Sequence, residues 1–192
     1  MSDAIETYQL GEYKLDIIPD DTPSSPRGDF NLTTMVCFHK RYNLGDEDHG
    51  FRHGDYESWE EMRADIIKRT KARIIKPLYM YDHSGITINT SGFSCPWDSG
   101  QIGWVFITPE KIKEAGLKRP RHKKLEQWLE GEVETYDTYV RGEIYGFRLT
   151  RGEEEDSVWG FYGSDPIENG MIDHFPEEVA VMLREKLGKK AA

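Results

Sequence analysis

Residues 78–107 read LYMYDHSGITINTSGFSCPWDSGQIGWVFI, and this stretch decides the fold. Two segments rich in β-branched and aromatic residues, LYMYD (78–82) and ITINT (86–90), are separated only by the turn-forming link HSG, which predicts a β-hairpin. A third strand, QIGWVFI (101–107), follows after a short loop. Parallel neighbours need a crossover of a dozen or more residues, so links this short predict antiparallel pairing.

Similar segments on both sides of this stretch predict further strands. They are YQLGEYKLDII (8–18, a strand, a glycine turn and a second strand), TTMVCFH (33–39), EIYGFRLT (143–150) and SVWGFYG (157–163). The link RGEEED (151–156) between the last two is predicted to be a loop, because it is too acidic to be buried.

Four segments have helical features. Ser58 and Glu61 form a capping box at the start of the first helix, and Thr108-Pro109 begins a short second one. Apolar residues recur every three or four positions from Arg121 to about Val140, which predicts one long amphipathic helix. Residues 176–188 are predicted to form the last helix.

These patterns predict an α+β fold, in which a mostly antiparallel twisted sheet of about six or seven strands is joined by about four helices, one of them long. A chain of 192 residues is expected to form a single domain over residues 1–192. Residues 19–29 and 43–55 are predicted to be exposed loops, and residues 189–192 a tail.

Composition excludes several classes of protein. The 8 Phe, 10 Tyr and 5 Trp supply large side chains for a core, which disordered chains lack. No apolar run approaches the roughly 18 residues that a membrane span needs. The first residues, MSDAIETYQLGEYK, lack the basic and apolar regions of a secretory signal, and two cysteines do not make a disulfide framework. A cytoplasmic protein is therefore expected.

The formal net charge of −10 is unevenly distributed. Residues 130–178 carry 14 acids against 3 bases, whereas residues 110–124 carry seven bases against two acids. The chain therefore presents an acidic surface with one local basic strip, residues 111–124. The acids either keep the protein soluble or recognise a partner with a basic surface, and charge alone does not separate the two interpretations.

The candidate partner-binding residues come from three segments. Acids are predicted on the outer side of the long helix and in the loop 151–156. The segment FSCPWDSG offers a rigid aromatic beside a carboxylate, and its tryptophan either anchors a partner or caps the core. These residues are Glu130, Glu134, Asp137, Glu153, Glu154, Glu155, Asp156, Trp97 and Asp98. Direct nucleic-acid binding is not expected from an acidic surface, but the basic strip offers it as an alternative through Lys118, Arg119, Arg121, Lys123 and Lys124.

Two kinds of reaction centre are considered. Cys37, His39, His83 and Cys95 have the right ligand types for Zn²⁺ if the fold brings them together, and Cys37 and His39 would share a face of a strand. A thiol-dependent site would instead need Cys95 within hydrogen-bond reach of His83 or His39, with Asp82 or Asp98 orienting the imidazole. The simpler interpretation is two buried thiols and scattered histidines. No cofactor other than this zinc is predicted, since no phosphate-binding glycine motif occurs.

Five blocks of the sequence resemble a family of small acidic proteins of bacteriophages and mobile elements whose function is unassigned. The blocks are MVCFHKRYNLGD (35–46), YMYDHSGITINTSGFSCPWDSGQIGWVFIT (79–108), EGEVETYDTYVRGEIYGF (130–147), SVWGFYG (157–163) and NGMIDHF (169–175). The resemblance implies expression in the host cytoplasm and brings no catalytic residues. Small acidic phage proteins often inhibit host machinery, including restriction and CRISPR effectors, so the resemblance implies such a role.

The leading hypothesis is a non-enzymatic binding protein that inhibits a host nucleic-acid-handling or defence factor, as anti-CRISPR and anti-restriction proteins do. The alternatives are a zinc-assisted or Cys/His-dependent hydrolase and a nucleic-acid-binding protein that uses residues 111–124. A membrane partner is not expected.

Overall fold

The computed structural model describes residues 3–190, without the side chains of residues 189 and 190. The described residues form eight strands and four α-helices. In chain order they are β1 (Glu6–Leu10), β2 (Tyr13–Pro19), β3 (Thr34–Cys37), α1 (Trp59–Thr70), β4 (Ile74–Asp82), β5 (Ile86–Asn89), β6 (Ser99–Ile107), α2 (Pro109–Glu114), α3 (His122–Val140), β7 (Ile144–Arg151), β8 (Glu154–Tyr162) and α4 (Glu177–Lys190).

The α+β class is confirmed, with antiparallel pairing throughout, but the strands form two four-stranded sheets instead of one. The chain divides into two compact units: residues 25–141 form unit 2, and the described residues on either side of them form unit 1. Each unit has its own sheet and its own apolar core. The predicted tail is partly wrong, because α4 continues to Lys190, and residues 191 and 192 lie outside the described residues.

Unit 1 is a sheet in the order β1-β2-β7-β8, covered by α4 on one face. Leu15 and Ile17 on β2 pair in register with Leu149 and Phe147 on β7. Because side chains alternate along a strand, all four point to the same face, where they pack with Val179 of α4. The alternate positions of Leu15 and Ile17 along β2 thus determine which face of the sheet forms the core of unit 1.

Asp16 of β2 is a buried carboxylate on the opposite face of the sheet, where it pairs across the strands with Thr7 and Arg148. Thr7 donates a hydrogen bond of 2.6 Å to its Oδ1, and Lys14 pairs with its Oδ2 at 2.7 Å. Burial by itself raises the pKa of Asp16, but the hydrogen bonds from Lys14 and Thr7 outweigh it, so the pKa is lowered. The folded state therefore stabilises the ionised form.

We expect Asp16→Asn to destabilise unit 1 by about 1 to 2 kcal/mol at pH 7, because hydrogen bonds to the charged carboxylate are lost. The folded pKa lies below the unfolded value of about 3.9, so this contribution is complete above that value and is lost as the pH falls through the folded pKa. Urea unfolding at several pH values measures it. The difference from the parent protein should shrink in acid, whereas the exposed Glu168→Gln should show no difference at any pH.

Unit 2 is a sheet in the order β3-β6-β4-β5 with a helix on each face. On the central strand β6, alternate residues face opposite helices. Val105 and Ile107 pack with the apolar stripe of α3, while Trp104 and Phe106 pack with Met62 of α1. The Ser58 cap predicted for α1 is confirmed, since the Ser58 side chain accepts a hydrogen bond of 3.1 Å from the Glu61 amide. The Glu61 carboxylate accepts its hydrogen bond of 2.7 Å from the Glu57 amide and not from the Ser58 amide of a full capping box.

The two segments predicted to be exposed loops are only partly exposed. In the first, the Arg27 side chain is 5% exposed and pairs with Asp46. In the second, Leu44 and Phe51 are buried in the cores of unit 2. The prediction is thus wrong for these anchoring residues, because single side chains tie each loop to the sheet.

Within residues 3–190, no helix has the length and apolar character needed to cross a membrane.

Candidate functional site

A polar cavity of about 340 Å³ opens beside the ends of β3, β4 and β6 in unit 2. Its walls combine charged, aromatic and amide side chains. Among the lining residues are His39, Arg41, Asp82, Trp97, Asp98 and Gln101. The cavity therefore brings together two blocks of the sequence, 35–46 and 79–108, that lie far apart along the chain.

A β-bulge in β6 shapes this wall. Leu78 of β4 pairs with Gly103 and Tyr79 with Gln101, so Ile102 is the extra residue. The bulge turns Ile102 into the core beneath α3 and leaves Gln101 lining the cavity. Bulges commonly redirect side chains next to functional sites.

The charged pair in the cavity is Arg41 and Asp82. Their side chains are in direct contact, and the Tyr42 hydroxyl donates a 3.3 Å hydrogen bond to the other carboxylate oxygen of Asp82. The His39 ring stacks on Tyr42, with ring centroids 5.0 Å apart and an angle of 12° between the planes. Arg41 was not among the predicted site residues, although it lies in the block MVCFHKRYNLGD.

Asp98 lies between the two side chains predicted to form a nucleophile pair. Its Oδ2 is 3.6 Å from the Cys95 sulfur and 3.6 Å from Nδ1 of His83. A thiol nucleophile needs the imidazole next to it, with the carboxylate behind the imidazole. The carboxylate stands in the middle instead, so the three residues do come together but in an order that does not activate the thiol.

The predicted zinc ligands do not converge. Cys37 is buried in the core beneath α3, and burial raises the pKa of its thiol to about 12. β3 ends at Cys37, so His39 does not share a strand face with it as predicted. Among residues 3–190 no three Cys, His, Asp or Glu side chains form a group suited to a metal ion. The predicted quartet is therefore not assembled.

Trp97 is 91% exposed and follows Pro96 at the rim of the cavity. The interpretation that it caps the core is wrong. A large, exposed aromatic side chain is a common anchor for a protein partner.

The acidic residues Glu153–Asp156 are all exposed in unit 1. They were predicted to lie in a loop, but only Gly152 and Glu153 form the turn, and Glu154, Glu155 and Asp156 begin β8. β8 is the last strand of its sheet, and within residues 3–190 it pairs with β7 alone, which leaves its outer backbone edge without a partner strand there. We call residues 151–157 the acidic hairpin.

The acids of α3 share one side of the helix, as their spacing requires, but this side does not point outward as predicted. Glu130 accepts hydrogen bonds of 2.8 Å from Thr90 and pairs with Lys76 at 2.7 Å. Asp137 accepts hydrogen bonds of 2.7 Å from the Ile88 amide and the Thr87 hydroxyl. Both carboxylates therefore fasten α3 to the sheet. Among the three, Glu134 alone is exposed.

The predicted nucleic-acid residues lie around the start of α3. They are Lys118, Arg119, Arg121, Lys123 and Lys124, and all five are exposed. Arg119 has a positive φ of 50° in the turn before Pro120. These five side chains therefore face solvent.

The likeness to bacteriophage proteins stays a prediction, because no family model matches the chain and no match is found among the curated proteins or the solved structures.

Proposed function

We propose that the protein is a non-enzymatic binding protein that recognises a basic surface on a host nucleic-acid-handling or defence factor and inhibits that factor. The observation that carries this proposal is the acidic hairpin of unit 1. Four consecutive acids stand exposed at the start of an edge strand. A basic groove that normally holds phosphates offers the complementary charge.

The hairpin keeps most of its negative charge available. The Glu155 carboxylate lies 3.5 Å from the Arg148 guanidinium, and the Glu155 side chain is 56% exposed. An exposed ion pair of this kind is worth little, so a stronger basic partner can replace it. The open edge of β8 adds unpaired backbone groups that a partner strand can use.

Trp97 and Asp98 in unit 2 supply a second recognition element of the same proposal. Trp97 offers an open indole face, and the Asp98 carboxylate beside it is 40% exposed. An aromatic face next to a carboxylate suits a cationic side chain of the partner.

The hairpin is tested by reversing its charge with Glu153→Lys, Glu154→Lys and Asp156→Lys in one variant. Capture of a nucleic-acid-handling protein from host lysate, with nucleic acid removed by nuclease, should fall by about tenfold or more, because complementary charge supports both encounter and specificity. Capture by the parent protein should also weaken as salt is raised from about 0.05 to 0.5 M.

The matched control is a triple reversal on α4 of the same unit, at the exposed Glu177, Glu178 and Glu185. It changes net charge equally and should leave capture unchanged. Equal loss in both variants would mean that overall charge, not the hairpin, governs binding. Capture that is insensitive to salt would contradict the proposal.

A further inference from the structure

An apolar groove of about 470 Å³ runs beside α3 in unit 2, and none of the residues of the proposed function lines it. Its walls include Phe30 and Leu32 from the loop before β3, Ala115 and Leu117 after α2, and Trp128 of α3. Phe30 is 57% exposed, although it is a large aromatic side chain. An exposed apolar groove with aromatic walls is typical of a binding site.

Two lysines lie against aromatic side chains of this groove. The Lys111 ammonium lies 5.0 Å from the centre of the Phe30 ring, and the Lys124 ammonium lies 5.1 Å from the centre of the Trp128 ring. Within the described part of the chain, none of the seven bases of the strip 111–124 forms an ion pair. These bases therefore remain available to a partner, whereas the Glu132 carboxylate in the groove wall is already held by Arg27 and by the Leu32 amide.

We propose that this groove binds an acidic peptide segment of a partner, with an apolar or aromatic side chain buried between Phe30 and Trp128 and its carboxylates on the basic strip. The charge of the rim is complementary to such a segment, and the apolar walls supply the burial that fixes its position. This inference is independent of the acidic hairpin, because it concerns the opposite charge and a different unit.

A peptide fits the groove better than single-stranded nucleic acid does. Bases bind such surfaces by stacking on open aromatic faces. Here a lysine already covers a face of each ring, so a stacked base would have to displace it. Aliphatic walls such as Leu32 and Leu117 match a leucine or phenylalanine side chain instead.

The test is fluorescence anisotropy of the full chain with a labelled peptide in which Asp and Glu flank a Leu-Phe pair. Two control peptides replace either the acids with Lys or the Leu-Phe pair with Ser, and a labelled oligothymidylate of about 15 nucleotides represents nucleic acid. We expect the acidic apolar peptide to bind about tenfold more tightly than any of the three.

Two variants locate the binding. Phe30→Ala and Lys124→Glu should each weaken the peptide's affinity by roughly tenfold, and both change exposed side chains, so the fold is retained. Lys68→Glu, an equal charge change on the exposed face of α1, should leave the affinity unchanged. The proposal is overturned if the acidic peptide does not bind up to about 1 mM, or if the oligothymidylate or a control peptide binds more tightly. It is also overturned if Phe30→Ala or Lys124→Glu leaves the affinity unchanged, or if Lys68→Glu lowers the affinity equally.

Discussion

Replacing Gly103 with alanine should destabilise unit 2 by more than about 4 kcal/mol. Gly103 lies on the central strand β6, directly opposite Cys37 of β3. A Cβ built on Gly103 would lie 1.8 Å from the carbonyl oxygen of Val36 and 2.9 Å from its carbonyl carbon. Both atoms belong to the backbone of β3, so no rotamer change relieves the overlap. The strand itself would have to separate from β6, breaking ladder hydrogen bonds and opening the core beneath α3.

Urea unfolding followed by tryptophan fluorescence measures this effect, since four of the five tryptophans, among them Trp104 next to the substitution, belong to unit 2. The matched control is Gly131→Ala in the middle of α3, where nothing lies within 4 Å of the added Cβ. That variant should be stabilised by about 0.5 to 1 kcal/mol, because alanine is a better helix former than glycine. A Gly103→Ala protein as stable as the parent would show that β3 does not approach β6 this closely.

The local structure of this chain is well predicted from its sequence because local signals decide it. The Ser58 cap, the Thr108-Pro109 helix start and the apolar run of β6 each depend on residues close together in the chain. The start of β8 is predicted wrongly for a physical reason. An edge strand that is exposed to solvent on both sides needs no apolar residues, so its acids give it the composition of a loop.

The sites are predicted less well because they depend on contacts between distant parts of the chain. The helical spacing of Glu130 and Asp137 places both on one side of α3. It does not show that this side borders the sheet, where Thr87 and Thr90 donate hydrogen bonds to them. Convergence of cysteines and histidines likewise requires knowledge of the tertiary fold. One residue in the sequence could have indicated the groove beside α3. It is Phe30, a single phenylalanine among loop-forming residues.

Arg27→Met should destabilise unit 2 by about 3 to 5 kcal/mol, because it removes one partner of a buried ionic network. The Arg27 guanidinium binds both carboxylate oxygens of Asp46, at 2.7 and 3.0 Å, and reaches Glu132 of α3 at 3.4 Å. It also donates to the Thr33 carbonyl and hydroxyl at 3.0 and 3.2 Å. One side chain thus ties two loops and a helix to the start of β3.

The cost arises mainly from the two carboxylates that would lose their cation, and this distinguishes the network from simple packing. Asp46 and Glu132 would still accept hydrogen bonds from the backbone amides of Met35 and Leu32, so they would remain held in place as uncompensated charges. Adding Asp46→Asn to Arg27→Met should therefore recover part of the lost stability in urea unfolding. The control is Arg52→Met, at an exposed arginine of the same unit, which should change the free energy of unfolding by less than about 0.5 kcal/mol. A double variant less stable than Arg27→Met alone would contradict the electrostatic origin, because removing a charge can only help if the unpaired carboxylate is what destabilises the fold.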